Sequence, residues 1–350
     1  MARADEQVDH VEQASLEHVH TATDDRSGSD PDMEPIHTAD LPVTMAQDIS
    51  YGKNGIAGLI SSPYIFGAAF MASLGGFSFG YDMGVIGIIN VMPQFHRTFP
   101  RLADDGANSA LYKGLNTGLL QAGCFVGCFF MPYLCDRWSR KWAITVMVCF
   151  FNIGGIIMTA APTYESMAFG RFFGGIGTGT LALGAPLYIS EISPPNLRGT
   201  LLVLQSISIV SGVVIAYFIS YGTRNMEGEV AFRLPFGLQL VSSTILGVMI
   251  HFFPYSPRWL CLRGRTDDCL KALSRLRRLP ESDQRLHLER EGIMAEVELQ
   301  QAVERKNHPG KSGISLEVLQ WLDLFKKKVW RRTVVALGVA WFQQFSGINA

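Results

Sequence analysis

The stretch GGFSFGYDMGVIG, from Gly75 to Gly87, determines how the rest of the sequence is interpreted. Asp82 is the only charged residue in an apolar run that extends from about residue 64 to residue 91. A helix needs roughly 20 residues to cross about 30 Å of hydrocarbon, so this run is long enough to span a membrane. A carboxylate at that depth costs a few kcal/mol on insertion scales, which indicates that Asp82 faces a partner or a cavity inside a helical bundle.

The same hydropathy pattern recurs along the 350-residue chain, of which 48% is hydrophobic. Further runs of spanning length lie at about 112–134, 142–161, 166–190, 200–221 and 232–254, and a seventh begins near residue 333. The pattern predicts an all-α membrane protein with a bundle of six helices, a helical loop and an incomplete seventh helix.

Charge divides the chain into four predicted segments. Residues 1–50 hold twelve acidic and two basic residues, so residues 1–62 are predicted to form a disordered acidic tail. Residues 63–255 form the six-helix bundle, 256–332 a linker with short amphipathic helices, and 333–350 the start of the seventh helix. The linker carries seventeen Lys/Arg and eleven Asp/Glu. Basic loops accumulate in the cytoplasm, so we expect the linker and the N-terminal tail on that side.

Helical spacing within the linker predicts two surface helices. Leucines 270, 273, 276 and 279 follow the candidate N-cap Thr266, and residues 288–306 continue as a second charged amphipathic segment. A solvated linker is the alternative. The six cysteines lie in apolar runs or in the basic segment after residue 255, which does not favour a disulfide framework. The polar N-terminus also lacks the pattern of a cleaved signal peptide.

A second intramembrane charge, Arg171, lies in the glycine-rich stretch GRFFGGIGTGT (Gly170–Thr180). A phosphate-binding loop needs a preceding strand and a Gly-Lys-Ser/Thr sequence, and neither is present. Small residues in a membrane helix instead allow neighbouring helices to approach closely. We expect Arg171 to meet Asp82, either as a proton-coupling pair or as a permanent ion pair that only holds the helices together.

Other function classes receive little support from the sequence. No nucleophile–base set or metal-ligand cluster occurs in the apolar region, so neither an enzyme, a cofactor nor a metal site is expected. Histidines 10, 18, 20 and 37 lie in the acidic tail, where metal binding would be adventitious. The excess of basic residues is explained by membrane topology, so no nucleic acid partner is expected.

Six motifs in order resemble the sugar porters of the major facilitator superfamily, most of all the fungal hexose transporters. The likeness runs from about residue 64 to the last residue, and the motifs are GGFSFGYDMGVIG, CDRWSRK, GRFFGGIGTG, YISEISPPNLRG, YSPRWL and QQFSGINA. The resemblance implies a plasma-membrane, multi-pass transporter that moves a monosaccharide, together with protons, across the lipid bilayer by alternating access.

The resemblance also implies roles for particular residues. Asp82 corresponds to the proton-accepting carboxylate and Arg171 to its partner. The implied sugar ligands are Gln205, Gln343, Gln344 and Asn349. Amides suit this task because each offers donors and an acceptor without a buried charge. For Gln205, a hydrogen bond that merely joins two helices is the alternative.

A charge network at the inner helix ends is implied as a latch that closes the cytoplasmic side. Its members are Asp136, Arg137, Arg140, Glu191, Arg198 and Arg258. Charges that only set the topology are the alternative. The family's loop glycine is Ser139 here, and the acid of its Pro-Glu-Ser-Pro-Arg motif is Tyr255, so we expect a weaker inner gate.

Family members have twelve spans in two halves, which implies that this sequence is a truncated form holding the first half. Three alternatives to proton-coupled transport remain: a facilitative uniporter, a sugar sensor and an accessory half that does not transport. The type of sugar is not assigned by these motifs.

Overall fold

A computed structural model describes residues 63–103, 108–309, 313–326 and 329–345. The described part is helical throughout and contains no strand. The predicted acidic tail and Asn349 lie outside the described residues. The all-α fold class expected from hydropathy is confirmed.

Twelve α-helices make up the described chain. The first seven are α1 (Pro63–Ile89), α2 (Pro93–Thr98), α3 (Ser109–Arg137), α4 (Arg140–Ala160), α5 (Tyr164–Ile192), α6 (Arg198–Thr223) and α7 (Val230–Met249). The others are α8 (Pro257–Leu262), α9 (Thr266–Arg277), α10 (Gln284–Asn307), α11 (Ile314–Asp323) and α12 (Trp330–Phe345). Six of them, α1 and α3–α7, are long and apolar enough to cross a membrane. Single 3₁₀ turns follow α2 and α7, at Pro100–Leu102 and Ile250–Phe252.

Glycines set the spacing of the six long helices. The glycine-rich stretch that contains Arg171 is helical within α5, which packs against both α3 and α4. A Cβ atom at Gly175 would lie 2.3 Å from the Leu120 carbonyl oxygen on α3, so only glycine permits this approach. Gly212 on α6 permits an equally close approach to α1, because a Cβ atom at this position would lie 2.3 Å from the Phe77 carbonyl oxygen. Close backbone contact is therefore the rule at these crossings.

A helical subdomain of α8, α9 and α10 follows the bundle. Its apolar core joins the buried side chains of Trp259, Leu260, Cys269, Leu273, Leu286 and Val297. The two predicted amphipathic helices of the linker are present as α9 and α10. The predicted N-cap at Thr266 is wrong by one residue: Arg265 occupies the cap position and Thr266 begins the helix. The Arg265 side chain pairs with Asp268 in the first turn at 2.7 Å.

Cations cover the carboxyl ends of three bundle helices where this subdomain docks. Arg263 Nη2 donates to the carbonyl oxygen of Asp136 on α3, and Arg277 Nη1 to that of Ile192 on α5, both at 2.8 Å. Beyond α7, Arg275 Nη2 donates to the Phe252 carbonyl oxygen at 3.1 Å. The last carbonyls of a helix lack intrahelical partners and carry partial negative charge. We call this the charged end of the bundle, defined by residues 136–141, 191–192 and 251–277.

Ser139, at the turn between α3 and α4, carries backbone strain. Its φ of +126° lies in a region that favours glycine, and its side chain is buried. Ser139 Oγ accepts a weak hydrogen bond from the Trp142 amide at 3.4 Å as the N-cap of α4. The position at which the family has glycine therefore adopts a glycine-like backbone conformation, although a serine occupies it here.

We predict that Ser139→Gly raises the stability of the protein by about 1 kcal/mol. Relief of the strained φ is worth about 1–3 kcal/mol, and replacement of a serine N-cap by glycine costs only a few tenths. The measurement is thermal unfolding of the detergent-solubilised chain. Ser139→Ala is the matched control, because it removes the cap and keeps the strain, and it is expected to lower the melting temperature. A glycine variant no more stable than the alanine variant would contradict the assignment of strain.

Candidate functional site

An ion pair lies at the centre of the bundle. Asp82 on α1 and Arg171 on α5 are both fully buried, and Arg171 Nη1 lies 3.2 Å from Asp82 Oδ1. Thr178 Oγ1, two turns further along α5, lies 3.4 Å from Asp82 Oδ2 and donates a shorter hydrogen bond to the Gly174 carbonyl oxygen at 2.9 Å. Asp82 and Arg171 are therefore in contact, as the sequence predicts.

The pair leaves part of the guanidinium unmatched. Arg171 Nε and Nη2 have no hydrogen-bond partner within the described parts of the chain. The guanidinium carbon lies 5.8 Å from the centre of the Phe236 ring on α7, which supplies an attractive aromatic face. Buried donors usually have partners, so two free donors on a buried cation mark a place suited to a polar ligand or water.

Three amides are buried between the spanning helices. Gln205 on α6 was predicted from the resemblance; it is buried against α1 beside Gly76, and its Oε1 has no partner among the described residues. Gln239 on α7 and Asn116 on α3 are fully buried, and neither amide has any hydrogen-bond partner in that same set. Gln239 lies one turn beyond Phe236, and so close to Arg171 along the bundle axis.

Gln239 and Asn116 were not predicted from the sequence as site residues. The contact of Leu120 with Gly175 sets the register of α3 on α5, and this register brings Asn116 to the level of Arg171. The available signal was a single amide within an apolar span, the same signal that made Gln205 a candidate. Only the rotation of each helix decides whether such an amide faces the interior or the lipid.

The structure does not join the predicted ligands of the seventh helix to this interior. Gln343 lies on α12, and its side chain is exposed. The side chain of Gln344 and all of Asn349 lie outside the described residues. Their role as sugar ligands stays a prediction.

Three of the six residues predicted for the inner charge network come together at the charged end. Arg140 at the start of α4 donates through Nη1 to Asp136 Oδ1 at 3.0 Å and through Nη2 to Glu191 Oε1 at 2.9 Å. The side chains of Arg140 and Glu191 are 8% and 5% exposed. Arg140 Nη1 also donates to the Cys135 carbonyl oxygen at 3.2 Å. The cluster therefore links the ends of α3, α4 and α5.

The remaining three residues of the predicted network form no ion pair with this cluster among the described residues, although Arg198 and Arg258 line a pocket of about 190 Å³ together with Glu191. Arg258 pairs with Glu296 on α10 at 3.2 Å, in a partly exposed setting. Arg137 lines an open groove of about 540 Å³ next to Arg263. Arg198 is exposed, and the described residues offer it no ion pair. A latch role for any of the six stays a prediction.

The ring of Tyr255, at the position where the family has an acid, contacts the ammonium group of Lys141. Lys141 Nζ lies 4.5 Å from the centre of the Tyr255 ring and donates to the His251 carbonyl oxygen at 3.1 Å. A ring face attracts an ammonium group without adding a charge. The missing carboxylate is thus replaced by a cation–π contact and backbone acceptors, which the sequence did not predict.

The chemistry open to this arrangement is binding and proton exchange. No group of three or more His, Cys, Asp or Glu is placed to hold a metal ion within the described residues. The interior offers one carboxylate, one guanidinium, a threonine hydroxyl and three amides between apolar helices. Such a set can take up a hydroxyl-rich ligand and a proton.

Comparison with known proteins places the chain in a family. The family described as "Sugar (and other) transporter" matches residues 68–350. The chain is 31% identical to the high-affinity fructose transporter ght6 of Schizosaccharomyces pombe over 79% of its own length and 51% of the relative's. It is 30% identical to the high-affinity glucose transporter of Kluyveromyces lactis, over 82% and 48% of the two chains. The chain spans about half the length of the curated relatives it matches.

The fold is shared with a solved transporter. The proton:xylose symporter XylE of E. coli, a major facilitator superfamily protein solved with 6-bromo-6-deoxy-D-glucose bound, superimposes with a TM-score of 0.62 at 23% identity. The match covers 69% of this chain and 55% of XylE. Six spanning helices in this arrangement, together with the family match, make the protein a multi-pass membrane protein. The chain belongs to the family described as "Sugar (and other) transporter", and it has the fold of a major facilitator superfamily protein.

Proposed function

We propose that this chain supplies the proton-coupling half of a monosaccharide transporter that works by alternating access. The observation that carries the proposal is the buried Asp82–Arg171 pair, whose guanidinium retains unmatched donors beside buried amides. The names of the relatives, which are fructose and glucose transporters, favour a hexose as the substrate.

Coupling of proton and sugar movement would follow from the opposite charges of Asp82 and Arg171, which compensate each other in the buried interior. With Asp82 ionised, Arg171 is held by the ion pair at 3.2 Å. A proton on Asp82 removes the attraction and leaves the guanidinium with uncompensated charge, which favours movement of α5 relative to α1 or contact with a hydroxyl oxygen of the sugar. Loading and releasing the proton on opposite sides of the membrane would then drive the sugar in one direction.

Buried amides are the proposed hydroxyl ligands of this half. Gln205 is the ligand implied by the resemblance. Gln239 joins it because it is buried one turn from Phe236, the residue that faces Arg171, and both its amide atoms are unmatched among the described residues. A sugar hydroxyl is both donor and acceptor, so it can pair with each end of an amide. Gln343, Gln344 and Asn349 remain proposed ligands from the second half.

At the charged end, the Asp136–Arg140–Glu191 cluster is the proposed latch. We place this end in the cytoplasm of a plasma-membrane protein, and with it the N-terminus, because basic residues cover the helix ends there. Opposite charges at helix ends that separate and rejoin give two discrete states.

Facilitated diffusion by the same route is the second candidate function. The names of the yeast relatives state a sugar and no proton. In that case the Asp82–Arg171 pair would be a permanent structural contact, and the first experiment below distinguishes the two functions.

We predict that Asp82→Asn abolishes accumulation of labelled glucose against its gradient while exchange of glucose at equilibrium is retained. The amide keeps the shape of the side chain but cannot take up a proton. The measurement is uptake into proteoliposomes that hold the transporter with both halves present, with and without an imposed inward proton gradient. Asp267→Asn, which removes an exposed carboxylate on α9, is the matched control and should accumulate glucose normally. Undiminished accumulation by Asp82→Asn would reject the coupling role.

We predict that Glu191→Gln opens the charged end. Breaking a buried ion pair costs about 3 kcal/mol, and the buried Cys135 thiol beneath Arg140 reports the opening, with labelling expected to rise about tenfold for each 1.4 kcal/mol lost. The measurement is the rate of maleimide labelling at Cys135. Glu296→Gln, which breaks the exposed pair with Arg258, should change stability by less than about 0.5 kcal/mol and leave the labelling rate unchanged. A lower melting temperature with unaltered labelling of Cys135 would mean that the cluster is only structural.

The proposed orientation predicts a difference between two exposed glutamates. Glu227 follows α6 at the end opposite the subdomain, and Glu281 lies between α9 and α10. In intact cells, a membrane-impermeant maleimide should label Glu227→Cys at once and Glu281→Cys only after permeabilisation. The reverse pattern would overturn the placement of the charged end in the cytoplasm.

A further inference from the structure

Two free thiols face each other in the connection between α8 and α9. Cys261 lies in the last turn of α8 and Cys269 in the first turn of α9, and their sulfur atoms are 3.1 Å apart. A disulfide bond is about 2.05 Å long, so the sulfurs need to approach by only about 1 Å. We propose that Cys261 and Cys269 are a reversible redox modification site that closes to a disulfide. This inference does not depend on the proposed transport function.

The two thiols differ in access. Cys261 is 8% exposed and Cys269 is fully buried against Leu273 and Leu286 in the core of the subdomain. A reagent in solution therefore reaches Cys261 first, and Cys269 reacts from within. A second thiol next to the reacting one favours disulfide formation over further oxidation of the first sulfur.

The electrostatic setting supports the same order of reaction. The hydrogen bond shared by the two sulfurs lowers the pKa of Cys261, burial opposes this shift, and the Arg290 guanidinium adds to it. The same hydrogen bond and burial raise the pKa of Cys269. The thiolate is the attacking species in thiol–disulfide exchange, so Cys261 is the attacking residue.

The step balances with a small disulfide such as glutathione disulfide as the oxidant. The Cys261 thiolate attacks one sulfur of the oxidant, a bond forms between them, and the first small thiol leaves. The Cys269 thiolate then attacks Cys261 Sγ and expels the second small thiol. Two protein thiols lose two electrons and two protons, and the oxidant is reduced to two thiols.

The position of the pair gives the modification a consequence. Arg263 on one side of the pair covers the end of α3, and Arg277 on α9 covers the end of α5. Gly264, in the turn between Cys261 and Cys269, has a φ of +71° and makes a tight reversal. A disulfide here closes a nine-residue ring that contains Arg263, and it ties this ring to the first turn of α9, the helix that ends with Arg277. Oxidation is therefore expected to stiffen the charged end.

Peptide mapping of the purified chain tests the site directly. The protein is equilibrated with mixtures of reduced and oxidised glutathione at neutral pH, its free thiols are alkylated, and it is digested with trypsin. We expect the fragments Trp259–Arg263 and Thr266–Lys271 to appear joined, two hydrogen atoms lighter than their sum, and to separate on reduction. Absence of the joined fragments at the most oxidising glutathione ratio would overturn the proposal.

Single substitutions separate the roles of the two thiols. Cys269→Ser should trap glutathione on Cys261, whereas Cys261→Ser should leave Cys269 unmodified. Cys149→Ser is the matched control and should leave the joined fragments unchanged. Glutathione trapped on Cys269 in the Cys261→Ser variant would reverse the assigned order, and no trapping in either variant would reject exchange through these thiols.

Amide hydrogen exchange measures the consequence in the unmodified sequence. Opening of the α8–α9 turn should slow by up to about 80-fold on oxidation, from the loop-closure entropy of a nine-residue ring. The Cys261→Ser variant should show the same exchange rates under reducing and oxidising conditions. Equal rates in the oxidised and reduced native chain would reject the stiffening of the charged end.

Discussion

A fully buried pair of opposite charges is the interaction on which this bundle depends. Neither Asp82 nor Arg171 could lie alone among apolar helices, because an unpaired buried ion costs several kcal/mol. Each needs the other at hydrogen-bond distance, so α1 and α5 must meet at one level. Close backbone contact at Gly175 draws α3 against α5 and helps to exclude solvent from the pair. The charge pair and the glycine packing therefore require each other.

Incomplete pairing of buried polar groups supports the proposed binding site over a purely structural core. Arg171 retains two free donors within the described chain, and Gln239 and Asn116 retain both amide atoms. Buried polar groups in stable cores are normally matched, and a partly matched set is costly unless something else completes it. A hydroxyl-rich ligand completes such a set without bringing a charge into the bundle, which is why the interior suits a sugar.

At the charged end of the bundle, basic side chains satisfy the carbonyl groups of the helix ends. Helices that stop at the membrane surface leave carbonyl groups without partners, and here Arg263, Arg275 and Arg277 donate to them from one compact subdomain. Movement of a helix end away from the subdomain would have to break one of these charged hydrogen bonds, so the contacts oppose separation of the helix ends. The facing thiols of Cys261 and Cys269 flank Arg263 in the chain and lie at the start of the helix that ends with Arg277, so a bond between them would restrain the segment that makes these contacts.

By itself, the sequence determined the number, length and order of the six spanning helices, because hydropathy over some 20 residues is a local property. It also predicted the meeting of Asp82 with Arg171, since a charge in an apolar span needs a partner. Only the tertiary structure decided that Gln239 faces the interior, that Arg258 pairs away from Arg140, and that basic side chains cover helix ends. These outcomes depend on the rotation and register of the packed helices. Contacts between residues that are distant in the sequence determine both, so no local sequence pattern encodes them.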